Sequence, residues 1–246
     1  MLGESRGGVA AGADAVREGS SRMLPRSSRF PCRRIAALAR VMITGPAGGR
    51  MSFITRGFGG RRRERDPRLP PGQTLVSDWP VLSAGPTPAV DAADWEFAIG
   101  TENGVHRWNL EEFQALGMED ITVDIHCVTH WTKLDMPWRG VSLDRVFAEV
   151  ETSHRYAMVH SFGGYTTNVA LDDLLGGKSW IAFEADGAPL TPEHGGPARL
   201  LVPHLYFWKS AKWVQGLITM ASDKPGFWEQ NGYHLHGDPW REERYG

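Results

Sequence analysis

Ile121-Thr122-Val123-Asp124-Ile125-His126-Cys127-Val128-Thr129-His130-Trp131 holds the pattern that decides how this chain folds and where its chemistry lies. Ile121, Val123, Ile125 and Cys127 recur at every second position, the period of a half-buried β-strand. Cys127 closes that run, where a side chain leaves the sheet and faces a pocket. One thiol and two imidazoles within five residues suggest a metal. Alternation sends His126 to the opposite face from Cys127, however, and no second cysteine stands nearby to complete the usual tetrahedral zinc set. A zinc site built on Cys127 and a neighbouring histidine would draw ligands from elsewhere. A single soft thiolate suits a metal whose other ligands belong to a cofactor.

Outward from this strand the same two periods recur. Residues 95–99, 156–161, 165–170, 180–184, 198–203 and 214–220 read as strands, with Gly163-Gly164 as the turn between the second and third. Short helices are expected at 110–116, capped by Asn109 and ended by Gly117, at 142–148, capped by Ser142, and at 171–175, closed by Gly176-Gly177. Strands outnumber helices and the helices are short. The class is α+β with a mostly β, mixed-sheet core.

The formal net charge of -2 divides into two regimes. Residues 1–68 hold fifteen Arg, no Lys and five acids, whereas residues 69–246 hold 12 basic and 24 acidic residues. Residues 1–50, rich in Gly, Ala, Arg and Ser, are expected to be a disordered extension upstream of a natural start at Met51. Arg33-Arg34 and the apolar residues after it faintly resemble a twin-arginine export signal; without a cleavage site the expected compartment is the cytoplasm. Residues 51–74 form a basic Pro/Arg-rich arm containing Arg61-Arg62-Arg63, and residues 75–246 form the body. The arm reads as solvated rather than nucleic-acid-binding, because the body is acidic and no recognition element accompanies it. No apolar run reaches the ~20 residues of a membrane span. Two cysteines, Cys32 and Cys127, make no disulfide framework.

Two further segments of the body carry chemistry. His194-Gly195-Gly196-Pro197-Ala198-Arg199 offers glycines for close backbone approach and an arginine fork suited to phosphate. Lys209-Ser210-Ala211-Lys212-Trp213 follows the aromatic run Tyr206-Phe207-Trp208. There, lysine charges, a hydroxyl and loop N–H groups can address an anion.

Together with Val81-Leu82-Ser83-Ala84-Gly85-Pro86-Thr87-Pro88, Pro137-Trp138-Arg139-Gly140-Val141 and Tyr165-Thr166-Thr167-Asn168, these segments resemble, in order, the motifs of the sulfite oxidase family, and most closely its small single-domain bacterial branch. The resemblance covers residues 75–246. It implies the molybdopterin-binding fold of that family and a molybdenum–molybdopterin cofactor, with Cys127 as the third sulfur beside two from the pterin. The implied chemistry is two-electron oxygen-atom transfer.

By motif match, Arg199 and the loop Ser210-Ala211-Lys212, with Lys209 beside it, hold the pterin phosphate. His194 stands where related periplasmic reductases place a cofactor-contacting Asn, and Ser161 is a further cofactor contact. His126, Tyr165 and Arg139 are candidates for the substrate side. Residues after Trp240 leave no room for the larger enzymes' dimerisation domain, and no haem domain is visible. Electrons are therefore expected to pass to or from a separate cytochrome, ferredoxin or flavoprotein. Sulfite sites gather several arginines around the anion, and the body offers few. That favours a small neutral S- or N-oxide over sulfite-like oxidation. The rivals are a non-catalytic scaffold or interaction protein and the zinc site described above.

Overall fold

The structure, a computed structural model, describes residues 66–246. The expectations for residues 1–50, the twin-arginine segment and Arg61-Arg62-Arg63 lie outside the described residues.

In chain order the elements are β1 (Thr74–Leu75), β2 (Glu96–Thr101), β3 (Gly104–Asn109), α1 (Leu110–Ala115), β4 (Met118–His126), β5 (Trp131–Ser142), α2 (Leu143–Phe147), β6 (Tyr156–Ser161), β7 (Thr166–Ala170), α3 (Leu171–Leu174), β8 (Trp180–Ala185), β9 (Ala188–Pro189), β10 (Arg199–Leu201), β11 (Val214–Met220) and α4 (Phe227–Gln230). The fold is α+β with mixed sheets, as the strand and helix periods require. Asn109 accepts from the Glu112 amide at 2.9 Å and Glu112 reciprocates, closing a capping box on α1. Ser142 caps α2 by accepting from Asp144 N.

One sheet is built on the long strand β5. β4 covers one edge in antiparallel register, while β1, parallel, and β8, antiparallel, share the other edge; β10 and β9 extend the sheet from β8. The second sheet runs β3-β2-β11-β6-β7, with β11 parallel to β2 and the remaining pairs antiparallel. Alternation in β8 shows how they stack. Ile181 and Phe183 join Phe97, Val159 and Leu217 of the second sheet in one core, whereas Trp180 and Ala182 join Ile125, Trp138 and Tyr206 in another. The first sheet is therefore buried on both faces. Trp95, Phe97, Phe113 and Phe183 interlock with ring centroids 5.0–6.1 Å apart, and each such pair adds about 0.5–1.5 kcal/mol beyond its buried area.

β5 and β3 escape the sequence pattern. Pro137 and Gly140 interrupt β5, and both residue types usually mark the edge or bulge of a strand. At Gly140 the partner strand comes so close that a Cβ would lie 2.4 Å from Ile181 O, and the register with β8 shifts there. Residues 66–73 lie against the same strand pair. Arg68 donates two hydrogen bonds to Asp135, at 2.7 and 3.1 Å.

Candidate active site

Cys127 sits at the base of the β4–β5 hairpin. Its N–H donates to Trp131 O at 2.8 Å and its carbonyl accepts from His130 N at 3.1 Å, so residues 128–130 form a tight three-residue connection. His130 closes the turn with φ of 71°, the left-handed residue that such loops require. The turn brings Thr129 Oγ1 to 3.1 Å from Cys127 Sγ. Burial pushes the Cys127 thiol up, while hydrogen bonds from Thr129 and the charge of Arg244 pull it back.

The thiol lines a cavity of about 470 Å³. Val128, Thr129 and Trp131 flank it, and Tyr165, Trp228 and Tyr233 wall the space. At another wall stand Arg199, Ser210, Ala211 and Lys212. The cavity therefore joins three segments that lie far apart in sequence.

Arg199 is 1% exposed. Its guanidinium donates to His194 O and Ser210 O, both at 2.8 Å, and stacks over Phe207 at 4.2 Å. Burial pulls its pKa down to about 9. Lys212 donates to Leu82 O at 2.7 Å and to Glu193 O; burial, then the charge of Arg199, lowers its pKa to about 8. Ser210 Oγ accepts from Val202 N at 2.9 Å, which leaves its hydroxyl hydrogen to donate. The N–H groups of Ser210 and Ala211 are spent on Phe207 O and Lys209 O, so these two amides do not address the cavity. His194 stacks on Trp79 with centroids 3.7 Å apart. Gly195 is packed against Lys212 and Gly196 against Leu190 O, so the glycines admit the chain's own neighbours.

Three buried polar atoms in these segments have no hydrogen-bond partner among the described residues: Ser161 Oγ, His194 Nδ1 and Arg199 Nε. Buried polar groups are normally satisfied. Of these three residues only Arg199 lines the cavity; His194 lines a separate pocket with Lys133 and Asp186, and five further buried polar atoms, Gln73 Oε1 and Glu229 Oε2 among them, also lack a partner among the described residues. Ser161 directly precedes the cavity-lining Phe162 and Gly163.

The model of the oxidoreductase molybdopterin binding domain family matches residues 84–228. The chain belongs to this family. The uncharacterized oxidoreductase YuiH of Bacillus subtilis is 41% identical over 189 residues, spanning 75% of this chain and 96% of that protein. The putative protein-methionine-sulfoxide reductase subunit YedZ1 of Azospira oryzae is 27% identical over 151 residues, covering 60% of this chain and 57% of that one. Among solved structures, the sulfane dehydrogenase SoxCD of Paracoccus pantotrophus superposes with a TM-score of 0.51 at 18% identity, over 59% of this chain and 42% of that one, a likeness of fold.

This molybdopterin-dependent oxidoreductase is thus an enzyme of the sulfite oxidase type whose cofactor is molybdenum-bound molybdopterin. The non-catalytic scaffold gives way to that membership. A zinc site finds no support either. His126 turns from Cys127 and bonds Thr132 Oγ1 at 2.9 Å, His130 bonds Gly72 O, and among the described residues no group of three or more His, Cys, Asp or Glu is placed to hold a metal ion. Among the described residues no helix is long and apolar enough to cross a membrane.

Not every singled-out residue reaches the cavity of this molybdopterin domain. Tyr165 lines it and donates to Trp208 O at 2.7 Å. His126 is buried on the far face of β4 against Trp240. Arg139 is exposed on β5 beside Asp120, 3.9 Å away. Lys209 is 1% exposed, and its ammonium meets Asn168 O, Asn168 Oδ1, Glu229 Oε1 and Leu235 O at 2.6–2.9 Å, which exhausts its three hydrogens.

The arginine whose charge reaches Cys127 is Arg244, which donates to Val128 O at 2.6 Å. Gln73, also missed, donates to Cys127 O at 3.0 Å. Neither falls in a motif; only the folded chain brings them to Cys127.

Proposed function

We propose that this cavity is an oxygen-atom-transfer centre in which Cys127 ligates molybdenum and the substrate is a small neutral S- or N-oxide. The observation that carries the proposal is that Cys127, Arg199 and the Ser210-Ala211-Lys212 segment, far apart in sequence, line one cavity. When bound, the molybdenum–pterin supplies two-electron redox chemistry with transfer of one oxygen atom.

The chain's own part is to bind, orient and seal. Arg199 and Lys212 place two positive charges where a pterin phosphate would lie, and the Ser210 hydroxyl adds a donor. His194 lies flat on Trp79, whose ring lines the cavity with Cys127. Thr129 Oγ1, 3.1 Å from the Cys127 sulfur, can donate to a thiolate there and offsets part of the penalty that burial places on it.

The walls support a neutral substrate. Trp131, Trp228 and Tyr233 offer apolar, polarisable surface to a sulfur centre. Arg244 spends donors on Val128 O and Pro71 O rather than on the cavity. Electrons pass through a separate carrier, a cytochrome, ferredoxin or flavoprotein, and the compartment is the cytoplasm. Holoenzyme assayed with reduced viologen dye as donor against sulfoxides and N-oxides, and with ferricyanide as acceptor against sulfite, tests the assignment. Turnover of a neutral oxide above sulfite is expected. Activity confined to sulfite would overturn the substrate class.

A further inference from the structure

Two buried side chains grip the loop that carries Cys127, one from each end of the described chain. Gln73, 6% exposed, donates through Nε2 to Cys127 O at 3.0 Å. Arg244, 7% exposed, donates through Nη1 to Val128 O at 2.6 Å and through Nη2 to Pro71 O at 3.3 Å. Thr74 N donates to His130 O at 2.9 Å. Three carbonyls of the loop 127–130 are thus held from outside its hairpin.

Local structure brings the two donors there. Residues 232–246 fold back on themselves, with His234 N donating to Arg244 O and Gly246 N to Gly232 O, each at 3.2 Å. On the other side residues 70–73 turn, Gln73 N donating to Pro70 O at 3.2 Å. Gly72 sits in that turn with φ of 72°, and a Cβ there would lie 3.1 Å from Arg244 Nη2. A glycine suits both the left-handed backbone and the close guanidinium.

Hydrogen bonding alone does not call for an arginine here. A neutral amide holds the neighbouring carbonyl, as Gln73 shows. Arg244 lies over the Tyr206 ring at 4.8 Å and makes no salt bridge among the described residues. A buried cation with no paired carboxylate is costly. Glu242 approaches the same Gly72 position, but it is exposed and water screens its charge. Glu243 is engaged by His236 and Arg241. The charge of Arg244 favours an ionised sulfur at Cys127. The counter-charge that fits this cation is the one that gathers at the sulfur and whatever the sulfur binds.

We propose that Arg244 is a positioning residue for the Cys127 ligand, fixing its loop through Val128 O, and that its buried charge favours the reduced, electron-rich state of the centre. The proposal rests on the Cys127 ligation proposed above. Reduction adds electrons to the centre. A cation held in a dry surrounding offsets that added negative charge more than an exposed one would. Gln73 holds the same loop without contributing charge.

The test titrates holoenzyme with redox dyes while following the visible absorption of the centre, with molybdenum content measured on the same samples. Wild type is compared with Arg244→Lys, Arg244→Gln, Arg244→Met and Gln73→Leu. Glutamine keeps a donor for Val128 O and methionine fills the space over Tyr206, so either neutral variant serves where the other does not fold. Without the charge the centre should be harder to reduce. Its oxidised-to-reduced ratio at a fixed dye potential should rise roughly tenfold, and Arg244→Lys should reverse most of that rise. Gln73→Leu should stay near the wild-type ratio. A wild-type ratio in the neutral variants, or a rise in Arg244→Lys equal to theirs, would overturn the role of the charge. A rise as large in Gln73→Leu would overturn it too, by assigning the effect to loop position. A wild-type spectrum in Cys127→Ser would instead refute the ligation, and with it any route through the sulfur.

Discussion

The Arg199 guanidinium carbon lies 4.2 Å from the centre of the Phe207 ring, with the Trp79 and Trp138 rings at 5.6 and 5.7 Å. Ring faces and two carbonyls surround this buried cation, and burial draws its pKa down to about 9. A desolvated cation of this kind is stabilised by an incoming anion. Inorganic pyrophosphate should therefore raise the melting temperature of cofactor-free protein by roughly 3–6 °C at tenfold excess over Kd. Arg199→Met should abolish the shift. An undiminished shift would place the phosphate elsewhere.

Lys209 Nζ lies 2.7 Å from Glu229 Oε1, and both side chains are out of solvent. Removing one partner leaves the other charge buried alone. Glu229→Gln and Lys209→Met should each destabilise the fold by about 3–5 kcal/mol in denaturant unfolding. The double variant should cost clearly less than the two combined. Strict additivity would mean that the pair is not coupled.

His236 bridges Asp173 and Glu243, with Nε2 3.3 Å from Asp173 Oδ2 and Nδ1 2.8 Å from Glu243 Oε2. Hydrogen bonding to Asp173, with a further contribution from Glu243, raises its pKa to about 9. A raised folded-state pKa stabilises fully below the ordinary histidine value near 6.5 and is lost as pH climbs through 9. Wild type should lose stability between those values. His236→Gln should flatten that slope, by no more than about 1 kcal/mol because the ring is partly solvated. Denaturation midpoints across this pH range check it; an unchanged slope in the variant would exclude His236 as its source.

Much of this architecture was legible because local periods and global fold agree. The alternation Ile121, Val123, Ile125 became β4 with Cys127 one residue past its end, the Asn109 and Ser142 caps became real caps, and Gly163-Gly164 turns β6 into β7. β5 stayed hidden because Pro137 and Gly140 look like strand breakers, yet a tight approach to Ile181 demands that glycine. At the site, charge was legible and partnership was not. Lys209 reads as an anion ligand until Glu229, twenty residues on, folds back to take its proton bonds. Arg139 stood nearest the cysteine motif in sequence, but strand direction carries it outward, and Arg244 comes to Cys127 from 117 positions away.

The central claim is that the Cys127 sulfur ligates molybdenum. Its most direct test is metal analysis with the visible absorption spectrum of wild type and Cys127→Ser, both produced in a cofactor-competent host. Near-stoichiometric molybdenum is expected in the wild type. In the variant the sulfur-to-metal absorption and the dye-linked turnover should both be lost. Persistence of that absorption and turnover in Cys127→Ser, or stoichiometric zinc without molybdenum in the wild type, would contradict it.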